Sequence, residues 1–186
     1  MSIADHFIPF PVLETERLVL SQCEATDLEP MYNLAKQPEL TRYMLWEYHK
    51  NIDETRKFLN MLLTGYPIGN CQIWAIRRKD HSFIGLIDIN GTSERHSNTG
   101  VGYWLGMPYW NNGYMTEALN AVIKFSFEVL DLNRVQAEHV TDNPASGRVM
   151  QKCGMKFEGV LRQHLYAHNR FHDCKMYSIL QEEWRP

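Results

Sequence analysis

The stretch that most limits the fold runs from residue 101 to residue 131. Residues 101–105 form a short apolar run of strand character, after which Gly106, Pro108, Asn111, Asn112 and Gly113 must turn the chain sharply before a helix starts near Met115. In that helix Glu117, Asn120, Lys124, Glu128 and Asp131 recur three or four apart, while Ala118, Leu119, Val122, Phe125 and Val129 cover the opposite side, as in a surface helix packed on a sheet. Strand, glycine loop and helix in that order aim several N–H groups and a positive dipole end at one spot, which suits a phosphate. One glycine in such a turn is, by itself, also ordinary turn chemistry.

The rest of the chain reads as one continuous unit with a helix-rich front and a strand-rich back. Residues 17–21 alternate as a strand, and Thr26 and Asp27 are placed to cap a helix reaching Lys36. Residues 53–63 form a second helix. Between the two, residues 40–48 hold Tyr43, Met44, Trp46 and Tyr48 without clean periodicity, a loop suited to lining a pocket or to aromatic packing. Residues 73–77 and 83–89 read as paired strands around a polar turn.

With 186 residues and 44% hydrophobic composition the chain can bury one sizeable core, so a single domain over residues 1–186 is expected, with residues 1–12 as an N-terminal extension. A net charge of -3, from 19 basic and 22 acidic residues and no basic run, argues against a nucleic-acid partner. Cys23, Cys71, Cys153 and Cys174 stand far apart with no C-x-x-C pair, as expected of reduced thiols in the cytoplasm. The first residues lack the pattern of a signal peptide, and charges interrupt every run long enough to span a bilayer, so no membrane partner is expected.

The run Gly102-Tyr103-Trp104-Leu105 followed by Tyr109-Trp110-Asn111-Asn112-Gly113-Tyr114-Met115-Thr116-Glu117-Ala118 resembles the acetyl-CoA motif of the GCN5-related N-acetyltransferases (GNAT), and most of all their ribosomal-protein alanine N-acetyltransferase branch. Leu132-Asn133-Arg134-Val135, Asp142-Asn143-Pro144-Ala145-Ser146 and Cys153-Gly154-Met155-Lys156-Phe157-Glu158-Gly159 continue the match in order, and Leu13-Glu14-Thr15-Glu16-Arg17-Leu18 resembles the branch's opening strand. The resemblance implies an α/β fold: a mixed, twisted central sheet, splayed at the cofactor site, with helices on both faces. It also implies that Trp104, Leu105 and Gly106 offer backbone groups to the pantetheine arm of acetyl-CoA, that Trp110, Asn111, Asn112, Gly113, Tyr114 and Met115 wrap its pyrophosphate, and that Asn143 and Ser146 form a second contact. Met115 departs from the wider family's loop, which ends in a small residue. Arg148 and Lys152 are candidates for charge pairing with the nucleotide, or ordinary solvated charges.

Acetyl transfer from a thioester requires a neutral amine, a donor for the oxyanion and a proton for the leaving thiolate. Many relatives carry a glutamate base and a tyrosine acid at positions that here hold Gly100 and Met150. Ser146, one turn before Met150, is the candidate acid, with helix capping or cofactor contact as its other readings. For the base the candidates are Glu94, His96, His139, His164 or a chain of waters, and His164 lies in an extended run, residues 160–166, expected near the acceptor. The missing glutamate favours an amine of low pKa: at neutral pH roughly a tenth of an α-amine near 7.7–8.0 is already neutral, against far less of a lysine near 10.4. A peptide or protein N-terminus is therefore the expected acceptor, with a polyamine, aminoglycoside or amino acid as the alternative, and a non-catalytic acetyl-CoA sensor as the rival class. No metal is expected: His164, His168 and His172 would line one face of a helix as zinc ligands, but the segment reads better as two strands around a turn at Asn169. A homodimer is permitted but not specified by the sequence.

Overall fold

The computed structural model describes residues 2–185. Eight strands form one sheet in the order β1-β2-β3-β4-β5-β6-β8-β7: β1 (Leu13–Glu14), β2 (Leu18–Ser21), β3 (Ile73–Arg78), β4 (Phe83–Ser93), β5 (Asn98–Leu105), β6 (Arg134–Val140), β7 (Lys156–Ala167) and β8 (Arg170–Leu180). Helices α1 (Leu28–Ala35), α2 (Pro38–Thr41), α3 (Ile52–Gly65), α4 (Tyr114–Glu128) and α5 (Pro144–Lys152) complete it. Every neighbouring pair is antiparallel except β5 with β6.

That parallel pair is short. Asn98, Thr99 and Gly100 pair with Arg134, Val135 and Gln136, and there pairing stops. β5 goes on beside β4 as far as Leu105, and β6 goes on beside β8 as far as Val140. The sheet is therefore continuous at one end of these strands and open at the other, the splayed mixed sheet expected of the resemblance.

Alternation decides what lies on each face. Ala118, Leu119, Val122, Ile123 and Phe125 of α4 are buried together with Ile76, Ile87 and Val135. The helix ends at Glu128, three residues before the polar stripe in the sequence does. Asp131 has φ 50° and turns the chain, and Val129 is half-exposed, its expected place in the core being taken by Leu130 and Leu132. The N-terminal segment is tied down rather than loose: Phe7 is buried with its ring 5.6 Å from that of Trp74, whose Nε1–H donates to Pro11 O at 2.9 Å. The helix expected at 53–63 begins one residue earlier, because Asn51 caps it by accepting from the N–H groups of Asp53 and Glu54.

Asp27 corrects the expected helix cap. It precedes α1, but its side chain bonds none of that helix's N–H groups. Its carboxylate instead grips the Arg77 guanidinium at both oxygens, 2.6 Å each, and accepts from Glu24 N at 2.7 Å. Arg77 rises from β3 into the interior, and a buried cation needs an anion in bidentate reach more than a helix needs one cap. The four cysteines are free and buried, and burial pushes the Cys23 and Cys153 thiols up to about 12.

The pair Asp27–Arg77 yields a stability prediction. Arg77→Leu leaves the Asp27 carboxylate buried without its partner and should lower unfolding stability by about 3–5 kcal/mol, whereas the double change Asp27→Leu with Arg77→Leu should recover a large part of that loss. Urea denaturation of the three variants measures both.

Candidate active site

The opening between β5 and β6 has two main-chain edges. Gly106 N–H donates to Ile84 O of β4 at 2.9 Å, so strand alternation turns the main-chain groups of Trp104 and Gly102 toward β4 as well, and those of Val101, Tyr103 and Leu105 toward the gap. The expectation for Leu105 agrees with this edge, although its carbonyl already accepts from Trp110 Nε1 at 2.5 Å. Trp104 and Gly106 do not agree: both N–H and C=O of Gly106 are engaged, the second by Tyr109 N at 2.9 Å. Tyr103 was not singled out as a site residue, and the alternation within residues 101–105 was the signal that could have found it.

At the end of the gap the chain passes into α4. Asn111 and Gly113 take left-handed conformations, φ 60° and 78°, and α4 has no side-chain cap. Among the described residues, the N–H groups from Asn111 through Thr116 meet no acceptor, and the first that does is that of Glu117, donating to Gly113 O at 3.0 Å. Such a cradle of free N–H groups at a helix N-terminus has the make-up of an anion site; it takes in Asn111 to Met115 of the expected loop, whereas the Trp110 N–H is taken by Met107 O at 3.1 Å.

A brace from the far side of the sheet holds the cradle. Arg17, just before β2, donates to Asn112 O at 3.0 Å and through Nε to Glu117 at 2.7 Å, and its guanidinium lies 4.7 Å from the centre of the Tyr114 ring. Glu117 also accepts from Thr15 Oγ1 at 2.6 Å. Burial alone would raise the Glu117 carboxyl, but the bonds from Thr15 and Arg17 hold it below its ordinary value. No local signal in the sequence joins Arg17 to a loop so far along the chain.

Across the gap stands α5. Asn143 is its N-cap and accepts from Ser146 N at 3.4 Å. Ser146 Oγ lies 3.0 Å from Tyr103 Oη, which also donates to Ser146 O at 3.2 Å. Burial pushes the Tyr103 hydroxyl well above its ordinary value, so it remains a donor. Met150, one turn on, is buried, and Arg148 and Lys152 are exposed.

The base candidates are scattered. Glu94 accepts from Ile3 N at 2.7 Å. His96 lies in the turn between β4 and β5. His139 is buried, with Nδ1 2.8 Å from Val140 O and Nε2 against Gly147, and burial lowers its pKa. His164 Nε2 stands 3.2 Å from Glu138 Oε2, on the face of β6 opposite His139. The histidine segment forms two strands joined at His168 and Asn169, both with positive φ, a two-residue hairpin turn. Among the described residues no group of His, Cys, Asp and Glu side chains could hold a metal.

On the helical face bearing α1 to α3, two cavities adjoin the segments without motif. One, of about 550 Å³, is lined by Glu39, Arg42, Glu47 and Tyr48 on one side and by His168, Arg170 and His172 of the β7–β8 hairpin on the other. His168 Nε2 reaches Met44 O at 3.1 Å and bridges the two. The second, of about 240 Å³, lies between α3, Asn70 and β4.

Comparison with known proteins agrees with this geometry. A family model described as an acetyltransferase (GNAT) domain matches residues 17–156. The uncharacterized N-acetyltransferase YoaA of Bacillus subtilis (strain 168) is 33% identical over 173 residues, covering 92% of this chain and 98% of its own. A ribosomal-protein-serine acetyltransferase of Escherichia coli (strain K12) is 25% identical over 167 residues, 88% of this chain and 93% of its own. The crystal structure of a GNAT-family acetyltransferase from Bacillus anthracis superposes with TM-score 0.83 at 26% identity, covering 93% of this chain and all of that one. A sheet that opens after three paired residues, a free N–H cradle at the head of the opening and these matches lead to one conclusion: the chain belongs to the GNAT family and is an N-acetyltransferase.

Proposed function

We propose that the chain transfers the acetyl group of acetyl-CoA to the α-amine of a peptide or protein N-terminus. The observation that carries the cofactor half is the continuity of the gap edge at Val101, Tyr103 and Leu105 with the free N–H groups of residues 111–116. An extended pantetheine arm carries amides that add to such an edge as a strand would, and its pyrophosphate then falls at the positive end of α4. Asn143 and Ser146 flank the arm from α5, and Arg148 and Lys152 are free to meet outer phosphates. No step in this scheme calls for a metal.

Ser146 is the proton source for the leaving thiolate. Its neighbour Tyr103 stays protonated, and when its one proton turns from Ser146 O to the serine Oγ 3.0 Å away, the serine hydroxyl proton is free to point into the gap. His164 enters the scheme through Glu138, to which its ring is held, so its part is to orient that carboxylate on the acceptor side.

The acceptor half rests on three things. The low pKa of an α-amine suits a β5 strand that carries Gly100 where many relatives carry a glutamate base. The larger cavity offers Glu39 and Glu47 beside Arg42 and Arg170, charges of both signs that suit a peptide rather than a polycation. The relative from Escherichia coli is named for a ribosomal-protein serine, whereas another relative, 21% identical, is a spermidine acetyltransferase of Vibrio cholerae. Release of free thiol should be faster with peptides beginning in Ala or Ser than with spermidine or an aminoglycoside at equal concentration; the reverse order would move the assignment to a small amine.

Two variants test the site. Gly113→Glu adds a side chain at φ 78° and a negative charge at the cradle, and calorimetry should show acetyl-CoA affinity lost; unchanged affinity would place the pyrophosphate elsewhere. Ser146→Ala should lower turnover at saturating acetyl-CoA by about 10²-fold to 10⁴-fold with nearly unchanged affinity, whereas a serine that only holds the cofactor would show the opposite pattern.

A further inference from the structure

We propose that Asp88 is the catalytic base, taking a proton from the acceptor's ammonium group so that the neutral amine attacks the thioester. Asp88 lies on β4 directly opposite Gly102 of β5, and its carboxylate sits over the Gly102 Cα: a Cβ built there would stand 2.8 Å from Asp88 Oδ2. The next pair repeats the arrangement, since a Cβ on Gly100 would meet Asn90 Oδ1 at 2.6 Å. Two glycines thus open a window in β5 through which side chains of β4 reach toward the gap.

The level is right for the chemistry. Gly100 is the last residue of β5 paired to β6, opposite Gln136, so Gly102 and Glu138 lie two residues into the opening on the same face. Strands are spaced about 4.8 Å apart, so a carboxylate leaning over Gly102 lies within direct or one-water reach of a group bound in the gap. The cavity of about 240 Å³ beside it leaves room for such a water.

The surroundings leave Asp88 free to act. Asn90 Nδ2 donates to its Oδ1 at 2.7 Å and fixes the carboxylate, while Oδ2 has no side-chain partner among the described residues. The residues lining the cavity bring no cation and no second carboxylate; from α3 come Met61, Leu62 and Gly65, and the one other titratable group is Cys71, whose thiol burial keeps neutral. Across the opening the facing groups are Glu138 and His164. Burial raises the Asp88 carboxyl, with the bonds from Asn90 and the Gly102 N–H acting the other way. A raised carboxylate is a stronger base than an exposed one, and no ion pair consumes it.

In the step, the acceptor's ammonium group gives one proton to Asp88, and the neutral nitrogen then bonds to the thioester carbon. The carbon–sulfur bond then breaks, the sulfur keeps the electron pair and takes a proton from Ser146, the second proton leaving the nitrogen restores Ser146, and Asp88 returns its proton to water. The proposal rests on acetyl-CoA occupying the gap, but not on which amine is acetylated.

The test uses Asp88→Asn with two amines, an alanine-initiated peptide and spermidine, across pH 6 to 10, beside calorimetry with acetyl-CoA. The neutral amide keeps the bond network yet cannot take a proton. Turnover near pH 7 should fall about 10²-fold to 10⁴-fold, and the deficit should shrink as pH rises past the amine's own pKa, about 7.7–8.0 for the peptide. Acetyl-CoA affinity should be unchanged. Thermal stability at pH 7 should be equal or higher: a folded pKa raised above the unfolded value means that the ionised form is disfavoured in the fold above that pKa, and the substitution removes this cost. Gly102→Ala, which pushes the carboxylate aside, should give the same pH-dependent loss. A deficit constant across pH, or a raised KM with unchanged kcat, would overturn the base role, as would the pH-dependent loss appearing in His164→Gln instead. Wild-type protein that fails to bind acetyl-CoA would instead sink the cofactor reading itself.

Discussion

The structure depends on one interruption. β5 and β6 share three residue pairs and then part, and main-chain groups that would close a sheet are left facing each other across a gap. Unpaired N–H and C=O groups away from water are costly, so such an opening persists only where other bonds hold its walls. Here β4 holds β5 along most of its length and β8 holds β6 throughout, while α5 stands across the gap through the Tyr103–Ser146 contact. The site proposed for acetyl-CoA is thus a missing piece of sheet kept missing by its neighbours.

Much of this was legible in the sequence for a local reason. The order of apolar run, glycine-bearing turn and amphipathic helix in residues 101–131 fixes the cradle within one short stretch, and its N–H groups need no particular side chain. Ser146 was legible because its place on α5 follows from helical spacing. What could not be read depends on contacts between distant parts of the chain. Arg17 reaches Asn112 and Glu117 from the opening strand, and Asp27 turns from helix cap to partner of Arg77 only once β3 lies beside it. Trp104 and Gly106 were assigned backbone roles from motif position. Which residues of β5 face the gap is set by the strand's phase against β4, and a motif does not carry phase.

Asp88 was overlooked for a related reason. Its segment, residues 83–89, reads as an ordinary apolar strand, and one acidic residue within it looks like an edge or solvent position. It gains meaning only from the two glycines opposite, and these lie in a different strand. The acceptor side is similar: residues 40–48 have no periodicity, yet with the β7–β8 hairpin they enclose a cavity of about 550 Å³.

The glycine at position 100 also bears on how this active site can change. Any side chain there must first displace Asn90, whose amide oxygen occupies the space a Cβ would need, and Asn90 is the residue that fixes Asp88. A carboxylate supplied from β5 and one supplied from β4 therefore compete for the same volume. A glutamate placed at Gly100 would crowd the Asn90 amide that holds Asp88, rather than simply add a second base to the first.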